Sequence, residues 1–182
     1  MIEINSRSTD ASDKDLTEFK NNIKENSTIE KLNKSINDII EENKTLKDYI
    51  SIFLSNNEKY NSFNGNFSVS ILDYLYEIKT ATSIEDSTLI IAFIYLNRIC
   101  DKKSIILSPL NLHKFLFISI ILAVKYNEDI KYSEKCYSVL FDMSFNETKV
   151  LENIYVDLID FNFFVSKKEF VKYKKYFEML TI

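Results

Sequence analysis

Glycine and proline are nearly absent from this chain: each occurs once in 182 residues, as Gly65 and Pro109. Tight hairpin turns draw heavily on both, so a sheet built from hairpins is disfavoured and helices joined by polar loops are expected. Basic charge is also short. The 23 Lys and Arg against 27 Asp and Glu leave a formal net charge of −4 and a pI near 5.2, whereas a nucleic-acid-binding face needs clustered cations. No nucleic-acid partner is therefore expected. His113 is the only histidine, and Cys100 and Cys136 stand far apart with no Cys-x-x-Cys spacing. That removes the usual metal-ligand clusters and leaves two reduced thiols in an intracellular protein as the expectation. A Gly-rich phosphate loop and a nucleophile elbow are missing too. His113, beside Lys114, is read as a packing or hydrogen-bonding residue and not as a base. No catalytic residue, cofactor or metal is assigned, and the chain is not expected to be an enzyme.

Long apolar runs are lacking as well. Phe115 to Val124 is ten residues with no charge and a single hydroxyl, well short of the roughly 18 needed to cross a bilayer. No membrane partner is expected. The first residues do not form a basic-then-apolar leader, so the expected location is inside the cell, in the nucleus and/or cytoplasm. Asn-x-Ser/Thr sequons at Asn26, Asn43, Asn66 and Asn146 then carry no weight.

What is present is a 46% hydrophobic content, enough for a core, and the centre of that core is the stretch Ser108–Asp129. Ser108 is placed to cap the first amides, and Pro109 at the first helical position loses only an amide that had no partner. A helix apolar on every side must be wrapped by neighbours. Around it, helical spacing recurs. Residues 1–27 are polar and read as disordered or marginally helical. Ser27-Thr-Ile-Glu30 fits a capping box, followed by an apolar stripe at Ile29, Leu32, Ile36, Ile39, Ile40, Leu46, Tyr49, Ile50 and Phe53. That stripe packs on the chain's own core or docks a partner. A polar break holds Gly65, giving an N-terminal helix and linker over 28–64. Val69, Ile71, Leu72, Leu75 and Ile78 mark the next helix, and Glu85-Asp86 opens another that runs to Cys100. Tyr132–Phe141 is a short helix. Ser144-Phe-Asn-Glu147 and Ser166-Lys-Lys-Glu169 are capping boxes for two more, the last over 166–182. Nothing alternates at period two. The fold class is all-α.

Two charges stand out: Lys125, which ends the apolar run, and Glu152, inside Val-Leu-Glu-Asn-Ile-Tyr. Taken alone they read as a cation closing the negative end of a helix and a residue on a solvated face. Three segments place them in a wider context. Phe93-Ile-Tyr-Leu-Asn-Arg98 is similar to an apolar-Tyr-Ile-Asp-Arg helix. Leu110-Asn-Leu-His-Lys-Phe-Leu-Phe with Ala-Val-Lys125-Tyr-Asn-Glu-Asp129 resembles an Asn-x-His-Arg-Leu start and an Ala-x-Lys-x-x-Asp-Asp end. Glu147-Thr-Lys-Val-Leu-Glu152 through Asp160-Phe-Asn-Phe163 resembles a Glu-Leu-x-x-Leu-Glu segment closing with Asp-Phe-x-Leu. In order and spacing the three resemble the cyclin box, over residues 65–165, and specifically the single-box P/U-type cyclins related to fungal phosphate-signalling cyclins. Asn97 stands where those cyclins usually carry Asp, Ser138–Asp142 replaces a Gly-Gly turn, and a Met-Arg-Ala-Ile-Leu docking motif is absent.

The resemblance implies five helices around the central one, with additional N- and C-terminal helices. It also implies a regulatory subunit that binds and activates a cyclin-dependent protein kinase. Lys125 and Glu152 align with a pair that holds backbone groups beside the kinase's C-helix, and Tyr126, Val156, Phe161 and Phe163 are candidates for the surrounding apolar surface. Phosphate signalling, cell division and nuclear division all suit such a box. The alternative is a non-activating helical adaptor with the same fold; a promoter-binding reading conflicts with the acidic charge and single box.

Overall fold

The structure is a computed structural model and describes residues 10–44, 58–103, 105–129 and 134–181. Among them every regular element is helical: α1 (Asp10–Lys44), α2 (Ile71–Thr82), α3 (Asp86–Lys103), α4 (Leu112–Asn127), α5 (Glu134–Leu140), α6 (Phe145–Leu158) and α7 (Lys167–Met179), with one helical turn at Glu58–Asn61. No helix among the described residues is long and apolar enough to cross a membrane. The five helices α2 to α6 form the box expected from the resemblance, with α4 at its centre and α1 and α7 added outside it.

α4 is wrapped because it has no face for water: Leu112, His113 and everything from Phe115 to Val124 is buried. α3 and α6 pack along it. From α2, the Tyr74 ring meets His113 edge-on at 5.3 Å. Phe141, just after α5, lies 3.7 Å from the Phe117 ring. Before α2, Phe63 stacks flat on Phe115 at 3.9 Å. The one hydroxyl in the run, Ser119, is satisfied twice. It donates to Phe115 O at 2.8 Å and pairs with the fully buried Tyr155 hydroxyl, so the core carries no orphaned polar group at that point.

The start of α4 differs from the expected one. Its N-cap is Asn111, not Ser108, and Ser108–Asn111 closes a turn through Asn111 N–H to Ser108 O. The Asn111 side chain accepts from Ser108 N–H at 2.9 Å and donates to Ile106 O at 3.1 Å. An Asx-type bond of this kind outcompetes helix entry at Pro109, and the Ser108 hydroxyl makes no capping bond. Ser144 and Ser166 do cap, accepting from Glu147 N–H and Glu169 N–H.

α1 corrects a second expectation. It begins at Asp10, so much of the segment read as disordered or marginally helical is helix, and Ser27–Glu30 lies within it instead of opening it. No Gly or Pro interrupts Asp10–Lys44, and the Thr28 hydroxyl donates to Asp86 on α3 at 2.6 Å, so that hydroxyl is tied to α3 and not to a cap. Ile29, Leu32, Ile36 and Ile40 are buried against α2, α3 and α7. This part of the stripe therefore serves the chain's own core. Leu46, Tyr49, Ile50 and Phe53, expected to continue it, and Tyr132 lie outside the described residues.

Two stability measurements follow. Ile36→Ala leaves a fully buried cavity between α1 and the box, and should lower unfolding free energy by about 2–5 kcal/mol in urea titrations. His113 supplies a pH dependence. Its Nε2 donates to Val69 O at 2.9 Å, its ring stacks on Phe67, and burial holds its pKa below the ordinary 6.5 against the opposing Val69 bond. The unfolded chain thus takes up this proton at a higher pH than the folded one. Stability from neutral His113 is complete above pH 6.5 and is lost as pH falls below it. Urea midpoints should drop over this window, and His113→Phe should flatten that drop.

Candidate functional site

The end of α4 meets the middle of α6, and there the two singled-out charges come together. Lys125, in the last turn of α4, bonds Glu152 Oε1 across the helix pair. Lys149, one turn earlier on α6, stands 3.8 Å from Oε2. Glu152 is 9% exposed, so it lies not on a solvated face but at the edge of the core. Its Oε2 is buried and accepts no hydrogen bond among the described residues. A desolvated carboxylate oxygen of this kind is costly unless something completes its bonding.

Aromatic groups border the pair. Tyr126, next to Lys125, is 58% exposed and stacks on Phe163 at 4.3 Å. Val156, one turn beyond Glu152, is half-buried. Phe161 is 72% exposed, whereas Phe163 is only 8% exposed. Phe163 therefore supports the surface from beneath, by way of Tyr126, and Phe161 forms part of the surface itself. Phe164, which the sequence reading passed over, is 81% exposed. Its only sequence signal is its place in the apolar run Phe161-Asn-Phe-Phe-Val165.

The turn carrying these rings follows α6 and is built from residues ill suited to its shape. Asp160 and Phe161 both have positive φ, 51° and 56°, a region that a bulky residue such as Phe rarely enters. Phe161 N–H donates to Val156 O at 3.2 Å and closes the helix end. At the Ser138–Asp142 turn, where the resemblance implies glycines, Asp142 takes φ 49°, and the Ser138 carbonyl accepts from Met143 N–H at 3.0 Å. The missing glycines are thus replaced by a tolerant Asp and a hydrogen-bonded turn.

The start of α4 serves the scaffold. Lys114 donates to Ser62 O at 3.1 Å and pairs with Glu147 at 2.8 Å, fastening α4 to the first turn of α6. At the other end, Glu128 accepts from Glu85 N–H at 3.1 Å, meeting the start of α3. Cys100 is an inert thiol: burial, helped by Asp101, pushes it up to about 12. Two clefts of about 470 and 380 Å³ lie between α1, α3 and α7; neither is lined by Lys125 or Glu152.

The family model described as Cyclin matches residues 1–163, most of the chain. The chain belongs to the cyclin family. It is 29% identical over 123 residues to Cyclin-U4-3 of Arabidopsis thaliana, an alignment covering 66% of this chain and 56% of that protein. It is 28% identical over 107 residues to Cyclin-P4-1 of Oryza sativa subsp. japonica, covering 58% and 50%. Cyclin-U1-1 of Arabidopsis thaliana is 28% identical over 108 residues, covering 58% and 51%. The chain spans about half the length of these curated relatives. The P/U-type resemblance read from three short segments thus agrees with alignments that cover 58–66% of the chain, and the family match also takes in α1, which lies ahead of the expected box. Cyclin membership points to a regulatory role.

The pair can be tested without any partner. Lys125→Ala removes the hydrogen-bond donor to a buried carboxylate and leaves it only the longer Lys149 contact, and should cost about 1–3 kcal/mol of stability. Adding Glu152→Gln to Lys125→Ala should recover part of that loss. A double-variant loss equal to the sum of the two single losses in urea titration would mean that the two side chains are not coupled.

Proposed function

We propose that this cyclin binds and activates a cyclin-dependent protein kinase, acting inside the cell, in the nucleus and/or cytoplasm. The observation that carries the reading is the Lys125–Glu152 pair, part-buried at one edge of the box and bordered by the exposed rings of Tyr126 and Phe161. Ion-paired groups held this way are strong anchors for a partner's backbone. Lys125 donates to carbonyls, Glu152 accepts from amides, and each such charge-assisted bond is worth about 1.5–3 kcal/mol. Tyr126, Val156, Phe161 and Phe164 supply the apolar contact around them, and Phe163 backs Tyr126.

On this reading, activation is a shift of population in the kinase. Binding favours the state in which the C-helix is swung inward, so that its Glu reaches the ATP-site Lys and the activation loop opens. The cyclin supplies differential binding energy and no chemistry. Its rigidity matters because a surface that deforms would bind both kinase states equally and shift nothing. The packed α4 core behind Lys125 provides that rigidity.

A panel of purified cyclin-dependent kinases, each assayed for phosphotransfer with and without the full chain, tests this directly. At least one kinase should be stimulated. Lys125→Ala, Glu152→Ala and Phe161→Ala should each weaken its binding by about tenfold or more. Binding without stimulation would favour a non-activating adaptor, and unchanged binding in all three variants would place the interface elsewhere on the box.

A further inference from the structure

Two side chains on one face of α3 hold three consecutive carbonyls of the turn that follows α6. Tyr95 Oη donates to Phe163 O at 2.8 Å. Arg98, three residues on and so on the same face of the helix, donates from Nη1 to Asn162 O at 2.6 Å and from Nη2 to Phe164 O at 3.0 Å. Arg98 Nη2 also pairs with Glu169 Oε2 at 2.7 Å, and Glu169 lies in the capped first turn of α7, with its N–H on Ser166 Oγ. The Tyr95 ring meets Phe163 edge-on at 5.6 Å. One guanidinium therefore joins α3, the turn and the start of α7.

The turn needs such support. Adjacent left-handed residues at Asp160 and Phe161 are unfavourable, and strained backbone of this kind persists where its surroundings over-determine it. Bonds to Asn162, Phe163 and Phe164 fix the chain just past the strained pair. They also decide where the exposed rings of Phe161 and Phe164 stand. A planar guanidinium suits the task because its donors diverge in a fixed fork, whereas a lysine ammonium is a point charge on a flexible stem.

We propose that Arg98 is a positioning residue: with Tyr95 it holds the Asp160–Phe164 turn in its left-handed form and makes the placement of Phe161 and Phe164 depend on how α7 is seated. The coupling runs through Glu169, so displacing the start of α7 loosens the turn, and loosening the turn weakens the hold on α7. Only the consequence for kinase binding rests on the function proposed above; the coupling belongs to the free protein.

Amide hydrogen exchange on the full chain tests the coupling first. In Arg98→Gln, the bonded amides of Phe161, Asn162 and Phe163 should exchange at least about tenfold faster, with the amides of α4 unchanged. Glu169→Gln should accelerate Phe170 at the start of α7 and, more weakly, the turn. Arg98→Lys should fall between wild type and Arg98→Gln. Unchanged exchange in the turn, or equal acceleration throughout α4, would overturn the proposal, the latter by making Arg98 a residue of global stability. The second arm uses whichever kinase of the panel the wild-type chain binds. Arg98→Gln should weaken it about fivefold or more, and this loss should vanish in a Phe161→Ala, Phe164→Ala background. A loss that persists undiminished there would sink the positioning role. If the wild-type chain binds none of the panel, the kinase reading fails alone and the exchange comparison still decides the coupling.

Discussion

A ten-residue uncharged stretch of helix with no exposed side is the constraint on which this structure depends. From Phe115 to Val124 nothing on α4 is suited to water, so it is stable only when neighbours cover it on every side. α3 and α6 pack along its length, Tyr74 and Phe141 close the α2 and α5 sides, and Phe63 lies flat on Phe115. The polar groups at its two ends are then available as fasteners. His113 and Lys114 secure the preceding segment and α6, and Glu128 meets α3. The last charged residue in its final turn, Lys125, reaches Glu152.

The shortage of glycine has consequences that run through the loops. Ser83, Asp142, Asp160 and Phe161 all take positive φ, while the only glycine does not. At Ser83 the strain is offset by a helix-closing bond to Lys79 O, and at Asp142 by a side chain that tolerates the region. Phe161 closes α6 through its own N–H to Val156 O, but its bulky side chain does not suit the region. Its conformation is supported from α3, by two side chains that a reading confined to local sequence has no reason to connect with residue 161. The least comfortable backbone in the described chain thus sits on the surface where a partner is proposed to bind, with a rigid helix behind it.

α1 shows how one pattern can serve different ends. An amphipathic stripe ahead of a compact box is equally suited to a partner and to the protein's own core, because apolar periodicity says only that a face is to be buried. Here Ile29, Leu32, Ile36 and Ile40 are buried against α2, α3 and α7. Burial against its own chain makes α1 part of the scaffold, consistent with a family match that begins at residue 1.

The all-helical class, the central position of α4, the capping serines at 144 and 166 and the cyclin resemblance were legible in the chain itself, since each rests on local spacing and composition. So were Lys125 and Glu152 as a pair, through motif order. Three features were not. The Asn111 turn displaced the expected Ser108 cap because a side-chain bond to backbone competed with helix entry. Phe161 and Phe163, two residues apart and chemically alike, parted into surface and support because the left-handed turn aims them differently. Arg98 came to hold residues 64 and 66 positions away. Periodicity determines which residues must leave water; only the packed chain decides which partner each meets, because that depends on distances that sequence spacing does not contain.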